Sequence, residues 1–286
     1  MGRVRFRLQG GLGNQLFIYY AAVAYSIVHG NEVEFETSAL ETAQSKRELS
    51  LDNFALPVQC VRVRARMPRT QNVLTKLLPN LYHGKKYFEF AETGFNEAFL
   101  YNTNENISGY FQSWRYVEMV LSHFPDKPLK VLEPSDWASN LADEARVQKP
   151  IACHIRRGDY VSLSSDFGML DYRFYLTAVK VLRNLGATGP VWIFSDSPDQ
   201  IDESFVQEVS GIIIREPRNS KPTDVFHVMQ SCDSFIISNS TFSWWAAFVS
   251  KSSHVIAPNP WFRNLSEPID LIPADWNKLQ SEWSNG

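Results

Sequence analysis

The chain has 286 residues, 44% of them apolar, and a formal net charge of −3. That apolar content supports real cores and excludes disorder, and the length suits two domains of ordinary size. With no basic excess, nucleic acid is not expected as a partner, and any phosphate-binding site has to be local rather than a charged face. The three separated cysteines, Cys60, Cys153 and Cys232, include no CxxC pair and read as reduced core residues, not as a disulfide frame or a zinc site.

From the N-terminus, residues 4–8 alternate like a half-buried strand and run into the turn Gly10-Gly11-Leu12-Gly13. A helix is expected over 15–29, stopping at Gly30. Its most apolar stretch, 16–28, is too short for a membrane span of about 20 residues and lacks the pattern of a signal peptide. Residues 32–36 alternate again as a strand. From 37 to 100 the pattern is broken by Pro57, Pro68 and Pro79, and Arg62, Arg64, Arg66 and Arg69 form a basic run. That run reads as a solvated face or as a contact for an acidic partner or a membrane surface. Residues 131–149, in a stretch punctuated by Pro128, Pro134 and Pro150, read as a linker between an N-terminal lobe over 1–130 and a C-terminal lobe over 150–286.

The second half predicts strands over 151–155, 191–195, 212–214, 235–238 and 255–257. Helices are expected between them over 172–185, 200–209, 223–232 and 242–250. This alternation indicates βαβ units and parallel sheets. The expected fold class is therefore α/β, with two Rossmann-like lobes facing a cleft, and ligands at the carboxyl ends of strands.

Four constellations carry chemistry. His154-Ile155-Arg156-Arg157-Gly158-Asp159-Tyr160 starts at the carboxyl end of the 151–155 strand, and alternation puts His154 and Arg156 on one face. A guanidinium suits a diphosphate because its planar fork donates two parallel hydrogen bonds and stays charged. Read blandly, Arg157 and Asp159 are a local ion pair and His154 is a core residue. Ser238-Asn239-Ser240-Thr241-Phe242-Ser243-Trp244-Trp245 joins a strand to a helix, with Ser240 or Thr241 as N-cap. The free N–H groups of that helix's first turn favour an anion; the bland reading is a well-capped helix with both tryptophans in the core. Phe194-Ser195-Asp196-Ser197 ends a strand on a carboxylate, placed to meet a base or ribose or simply to shape a turn before Pro198. The glycine turn with Asn14 and Gln15 allows close backbone approach to a ligand. It also matches two positions of a dinucleotide fingerprint, with Glu34 or Glu36 at the distance of a ribose acid and Leu16 where the third glycine belongs.

In this order and spacing, these segments and Gly109-Tyr110-Phe111-Gln112-Ser113 resemble the α-1,2-fucosyltransferases of the GT11 type, a GDP-fucose-dependent family with the GT-B arrangement. The resemblance spans nearly the whole chain. It departs at Val225-Phe226-His227, where bacterial relatives more often carry a leucine-rich helix. It implies an inverting transfer of L-fucose from GDP-fucose to O2 of a terminal galactoside in a glycan, in a setting such as bacterial O-antigen synthesis. The 1–130 lobe would face the acceptor and the 150–286 lobe would bind GDP-fucose, with the C-terminal tail returning to the first lobe. Arg156 would neutralise the departing GDP, with His154 beside the nucleotide and Asp196 at guanine or ribose. Asn239, Ser240, Thr241 and Phe242 would line the diphosphate site. Asn14 would face the fucose and phosphate, and Gln112 would lie on the acceptor side. Asp159 and Asp171 are the candidates for the base.

No Asp-x-Asp occurs in the sequence, so no metal and no resident cofactor is expected. The sequons at Asn106, Asn239 and Asn264 include one inside the donor site, where a glycan would block function. A cytoplasmic enzyme is therefore expected, with peripheral membrane association if its acceptor is lipid-linked. The rivals are a nicotinamide-dependent oxidoreductase built on the first glycine turn and a GDP-sugar-binding protein without turnover.

Overall fold

The computed structural model describes residues 2–40, 47–63, 87–91, 93–158, 165–252 and 254–284. The chain divides into two compact units. One comprises Met1–Leu51, Leu56–Lys127 and Pro268–Leu271, and the other Asp52–Ala55, Pro128–Glu267 and Ile272–Gly286.

In the first unit, β1 (Arg3–Arg7) and β2 (Glu32–Glu36) pair in parallel, with Arg3, Arg5 and Arg7 opposite Glu32, Glu34 and Glu36. The period of two sends Val4, Phe6 and Leu8 into the core and the arginines to the other face. There Arg5 reaches Glu34 at 2.6 Å and Arg7 reaches Glu36 at 3.7 Å. Opposite charges directly across a ladder favour this register, and a slip by one residue would set arginine against Val33 or Phe35. With β4 (Val61–Val63), β5 (Phe88–Glu89) and β6 (Asn106–Ser108) the sheet has the order β4-β2-β1-β6-β5, parallel throughout. The helix α1 (Leu12–His29) is buried around its whole circumference from Leu16 to Tyr25, so it serves as a central core helix rather than an amphipathic cover. It starts three residues before the expected helix, directly on the glycine turn. Two further helices, α2 (Glu97–Leu100) and α3 (Trp114–His123), follow.

The second unit holds a six-stranded parallel sheet made of β8 (Ile151–Ile155), β9 (Val191–Ser195), β10 (Gly211–Ile213), β11 (Ser234–Ile236), β12 (Val255–Asn259) and β13 (Asn277–Gln280). The order is β10-β9-β8-β11-β12-β13, which is the 3-2-1-4-5-6 order of a dinucleotide-binding sheet. The interleaved helices are α4 (Asp136–Gln148), α5 (Tyr172–Asn184), α6 (Glu203–Glu208), α7 (Pro222–Met229) and α8 (Thr241–Ser250). A short antiparallel pair, β3 (Phe54–Ala55) with β7 (Lys130–Val131), completes this unit.

Where a linker was expected over 131–149, the structure has β7 and then α4, which packs on α7 and belongs to the second unit. Its prolines flank the helix instead of interrupting it. Its buried stripe is only Ala138, Ala142 and Ala145, too weak an apolar signal to stand out in sequence. The C-terminal stretch is split: Pro268–Leu271 lies with the first unit, while β13 closes the edge of the second unit's sheet. All three cysteines are free, with Cys153 and Cys232 buried. Among the described residues no helix is long and apolar enough to cross a membrane.

Candidate functional site

The order of the second sheet reverses between β8 and β11, and ligands of open α/β sheets bind outside the carboxyl ends of strands at such a point. His154, on β8, and Ser238, just past β11, meet there. Nδ1 of His154 lies 2.8 Å from Ser238 Oγ, and both residues are buried. Burial and the neighbouring Arg156 charge push the His154 pKa well below the ordinary imidazole value. The imidazole is therefore neutral at neutral pH and available as a hydrogen-bonding group.

The strand then gives way to a loop held by one carboxylate. Asp196, just past the end of β9, accepts the backbone N–H of Arg157 at 2.9 Å and of Gly158 at 3.1 Å, and its Oδ2 lies 3.1 Å from Arg156 Nε. A Cβ at position 158 would stand 2.5 Å from that carboxylate, so the clamp requires glycine there. Asp196 thus organises the Arg156 loop, a role that neither sequence reading of it contained. Arg157 turns the other way: it is buried, donates to the Leu170 carbonyl at 2.9 Å and lies 4.7 Å over the Tyr172 ring. Asp159, its suggested ion-pair partner, lies outside the described residues.

Ser240 is the N-cap of α8, but no side chain caps the helix. Ser243 Oγ turns back to the Ser240 carbonyl at 3.1 Å. The first-turn N–H groups of Thr241, Phe242 and Ser243 therefore have no capping side chain, an arrangement that favours an anion. Phe242 closes the side toward His154, with ring centroids 5.9 Å apart. Asn239 is buried and its Nδ2 donates to the carbonyls of Phe167 at 2.8 Å and Gly168 at 3.1 Å. Its amide is thus engaged in pinning that loop, which also closes the Asn239 sequon to a glycan in the folded chain. Trp244 and Trp245 are fully buried.

Asp171 is the N-cap of α5, accepting from the Arg173 N–H and from Arg173 Nε, both at 3.0 Å. Partial burial raises its pKa, but these hydrogen bonds, with the charges of Arg173 and Arg157, outweigh that and hold it below the ordinary carboxylate value. A committed, acidic cap is a poor proton acceptor. In the first unit, Asn14 sits in the first turn of α1 and its Oδ1 accepts from Gln112 Nε2 at 2.9 Å. Gln112 itself is buried. Gln15, which the sequence reading left without a role, clamps the glycine turn: Nε2 donates to Gly10 and Glu48 carbonyls at 3.2 and 2.9 Å, and Oε1 accepts the Ser50 N–H at 2.9 Å. Ser238, Gly158 and Gln15 are the contributors that sequence reasoning missed. Gly158 had a readable signal, a glycine between charged residues at a strand end. The other two depend on partners 84 and 35 positions away. Among the described residues no three His, Cys, Asp or Glu side chains gather as a metal-binding group.

Two predictions arise from this geometry. Because the His154 pKa is lowered on folding, the unfolded chain binds that proton more readily. The associated stability is complete above the unfolded value of about 6.5 and drains as pH falls below it, by up to about 1.4 kcal/mol per pH unit. Urea unfolding at pH 7.5, 6.5 and 5.5 should show a shallower acid loss for His154→Asn than for the native chain; equal slopes would mean that His154 titrates normally. For Asp196→Asn, the new amide NH2 faces N–H donors, and a cost of about 1–3 kcal/mol is expected. If Asp196 organises the loop, kcat falls with it. If the residue meets only the nucleotide, the donor KM rises and kcat is kept.

The profile of glycosyl transferase family 11 matches residues 7–276. Two Escherichia coli relatives are similar along almost their full lengths. An alpha-1,2-colitosyltransferase is 26% identical, covering 98% of this chain and 100% of that protein. The O-antigen biosynthesis glycosyltransferase WbnK is 25% identical, covering 89% and 93%. Among solved structures, the Se-Met fucosyltransferase NodZ from Bradyrhizobium superposes with a TM-score of 0.50 at 12% identity, covering 94% of this chain and 100% of that one. That likeness concerns the fold, which is of the GT-B-like α/β class. A family match over residues 7–276, nearly the whole chain, makes this protein a member of glycosyl transferase family 11.

Proposed function

We propose that this enzyme is an inverting, metal-independent transferase that moves L-fucose from GDP-fucose to O2 of a terminal galactoside in a bacterial surface polysaccharide. The observation that carries the reading is the switch point of the second sheet. There a guanidinium on a clamped loop, a neutral buried histidine and a helix amino end without a capping side chain stand at neighbouring strand ends. Such a set of preorganised donors suits a diphosphate whose negative charge grows as it leaves.

In the proposed step the acceptor O2–H attacks fucose C1, the C1–O bond to the β-phosphate breaks, and GDP departs with the bonding electrons. Direct displacement converts the β-linked donor into an α-fucoside. The hydroxyl proton passes to a base; with Asp171 committed to its helix cap, Asp159 is the remaining carboxylate of the two considered. Arg156 meets the charge on the β-phosphate, the N–H groups of Thr241 and Phe242 share it, and His154 hydrogen-bonds the nucleotide as a neutral ring.

A second donor is tested alongside, because one relative is named for colitose transfer. Colitose is fucose without the 3-hydroxyl, and a site built to hydrogen-bond that hydroxyl rejects the deoxy sugar strongly, whereas a site without such a partner does not. The experiment has two stages. Melting with GDP or NADH comes first, since a true ligand stabilises the fold by mass action. Release of GDP from GDP-fucose and GDP-colitose is then followed over a panel of galactosides, with the product linkage read by NMR. Stabilisation by NADH and not GDP would sink the reading, and a linkage other than α-1,2 would correct it.

A further inference from the structure

Residues 165–170 form no helix or strand, yet each of their carbonyls accepts a hydrogen bond from outside the segment. The donors follow the carboxyl ends of four strands that are adjacent in the second unit's sheet, β8, β11, β12 and β13. After β8, Arg157 Nη1 donates to Leu170 at 2.9 Å. After β11, Asn239 Nδ2 donates to Phe167 at 2.8 Å and Gly168 at 3.1 Å. After β12, the Asn264 N–H and Nδ2 donate to Asp166 at 3.0 Å and Ser165 at 2.6 Å. After β13, the Ser284 N–H and Oγ–H donate to Met169 at 2.8 and 3.1 Å. An irregular segment whose backbone groups are satisfied so completely is held in one shape.

The segment backs both halves of the candidate site. Asn239 stands directly before Ser240, the N-cap of α8, and Arg157 directly after Arg156. What fixes the segment itself is the stretch after β13. Trp283 forms an antiparallel bridge with Leu170, and the Glu282 carbonyl accepts the Asp171 N–H at 2.7 Å. The Trp283 indole lies on Gly168, where a Cβ would meet the ring at 2.5 Å and Arg263 Cβ at 2.9 Å. Gly168 also has φ of 78°, so the turn that aims the Phe167 and Gly168 carbonyls at Asn239 suits glycine in both conformation and space. Trp283 is half-buried, packed on the core cluster that contains Leu170.

We propose that Trp283 is a positioning residue for the transfer reaction, acting through the 165–170 segment to hold Asn239 at the amino end of α8 and Arg157 next to Arg156. All of these parts belong to the second unit. The inference rests on the reading that seats the diphosphate there. Without the indole the Gly168 turn loosens, and Asn239 loses its fixed carbonyl partners. The N–H groups at the start of α8 and the Arg156 guanidinium are then less well aligned. The substrate keeps the same groups to bind, so turnover falls more than donor binding.

The test uses the full chain with GDP-fucose and an accepted galactoside. It compares kcat, donor KM and melting temperature for native protein, Trp283→Ala, Trp283→Phe, Asn239→Ala, the double variant of Trp283→Ala with Asn239→Ala, and Leu182→Ala. Leu182 lies in the same core cluster near the carboxyl end of α5, so its loss reports weakened packing alone. Trp283→Ala should lower kcat about tenfold or more, the scale of a small misplacement in an active site, with donor KM changed less. Phe restores a flat ring over Gly168 and should recover most of that loss, while Leu182→Ala should melt lower and keep kcat. In the Asn239→Ala background the Trp283 effect should shrink, the signature of one residue working through another. Should Trp283→Ala not fold, Trp283→Leu keeps apolar bulk without the flat ring and carries the same comparison. Native kcat in the Trp283 variant, a kcat loss that Leu182→Ala matches, or a loss that adds in full to that of Asn239→Ala would overturn the positioning role and leave the donor reading standing. A native enzyme that GDP does not stabilise would overturn both.

Discussion

Arg156→Ala should lower kcat by about 100-fold or more at saturating GDP-fucose, the range seen when one preorganised donor to a developing anion is removed. The reason is local. The guanidinium is held by Asp196 on a loop that the same carboxylate ties down through two backbone N–H groups. In the proposed step it is therefore in place before charge develops on the leaving diphosphate, with no reorganisation needed at the moment of reaction. The fold should tolerate the loss, because Asp196 keeps both N–H partners in the variant. Arg156→Lys should recover part of the rate, since an ammonium restores the charge without the planar fork. Steady-state kinetics beside a thermal melt separate the cases. Near-full turnover in a folded Arg156→Ala enzyme would remove this residue from the proposed mechanism.

The largest effect on stability is expected at Trp244, one turn into the helix whose amino end faces the proposed diphosphate. Its side chain is fully buried. It stacks on Phe248 at 4.7 Å with planes 11° apart, and lies 5.2 Å from Trp245 and 5.6 Å from Trp276. Trp244→Ala should cost about 3–5 kcal/mol, the transfer free energy of the indole together with the cavity left behind. That is a large share of the roughly 5–15 kcal/mol that stabilises a typical fold. Chemical denaturation of native and variant protein would show it as a lower midpoint. A midpoint unchanged within error would mean that the aromatic cluster does not anchor α8. Turnover should fall as well, because a loosened α8 no longer holds the N–H groups of Thr241 and Phe242 in place. Phe is the informative second substitution at 244, since it keeps a stacked ring and should recover most of the loss.

Much of the second unit's candidate site was legible along the chain. The strands β8, β9 and β11 are mostly apolar because parallel strands are buried on both faces; β9 ends on Ser195, and polar residues follow close after β8 and β11, at Arg156 and Ser238. His154, Arg156, Asp196 and Ser240 stood out for that reason. The first unit was harder. Short strands such as β4, β5 and β6 carry too few residues for a period to show. The helix α4 hid behind prolines because alanine, its buried residue, is a weak apolar signal.

What the sequence by itself determined is the α/β class, the succession of strand and helix in the second unit and the residue types at the strand mouths. These follow from local periodicity and from the chemistry of single side chains. The tertiary structure decided which of those residues act together. It made Asp196 the clamp of the Arg156 loop, Ser238 the partner of His154, Asn239 a loop anchor, Asp171 a helix cap and Gln112 the partner of Asn14. Such assignments depend on strand order, and strand order is set by long-range packing that no local pattern encodes.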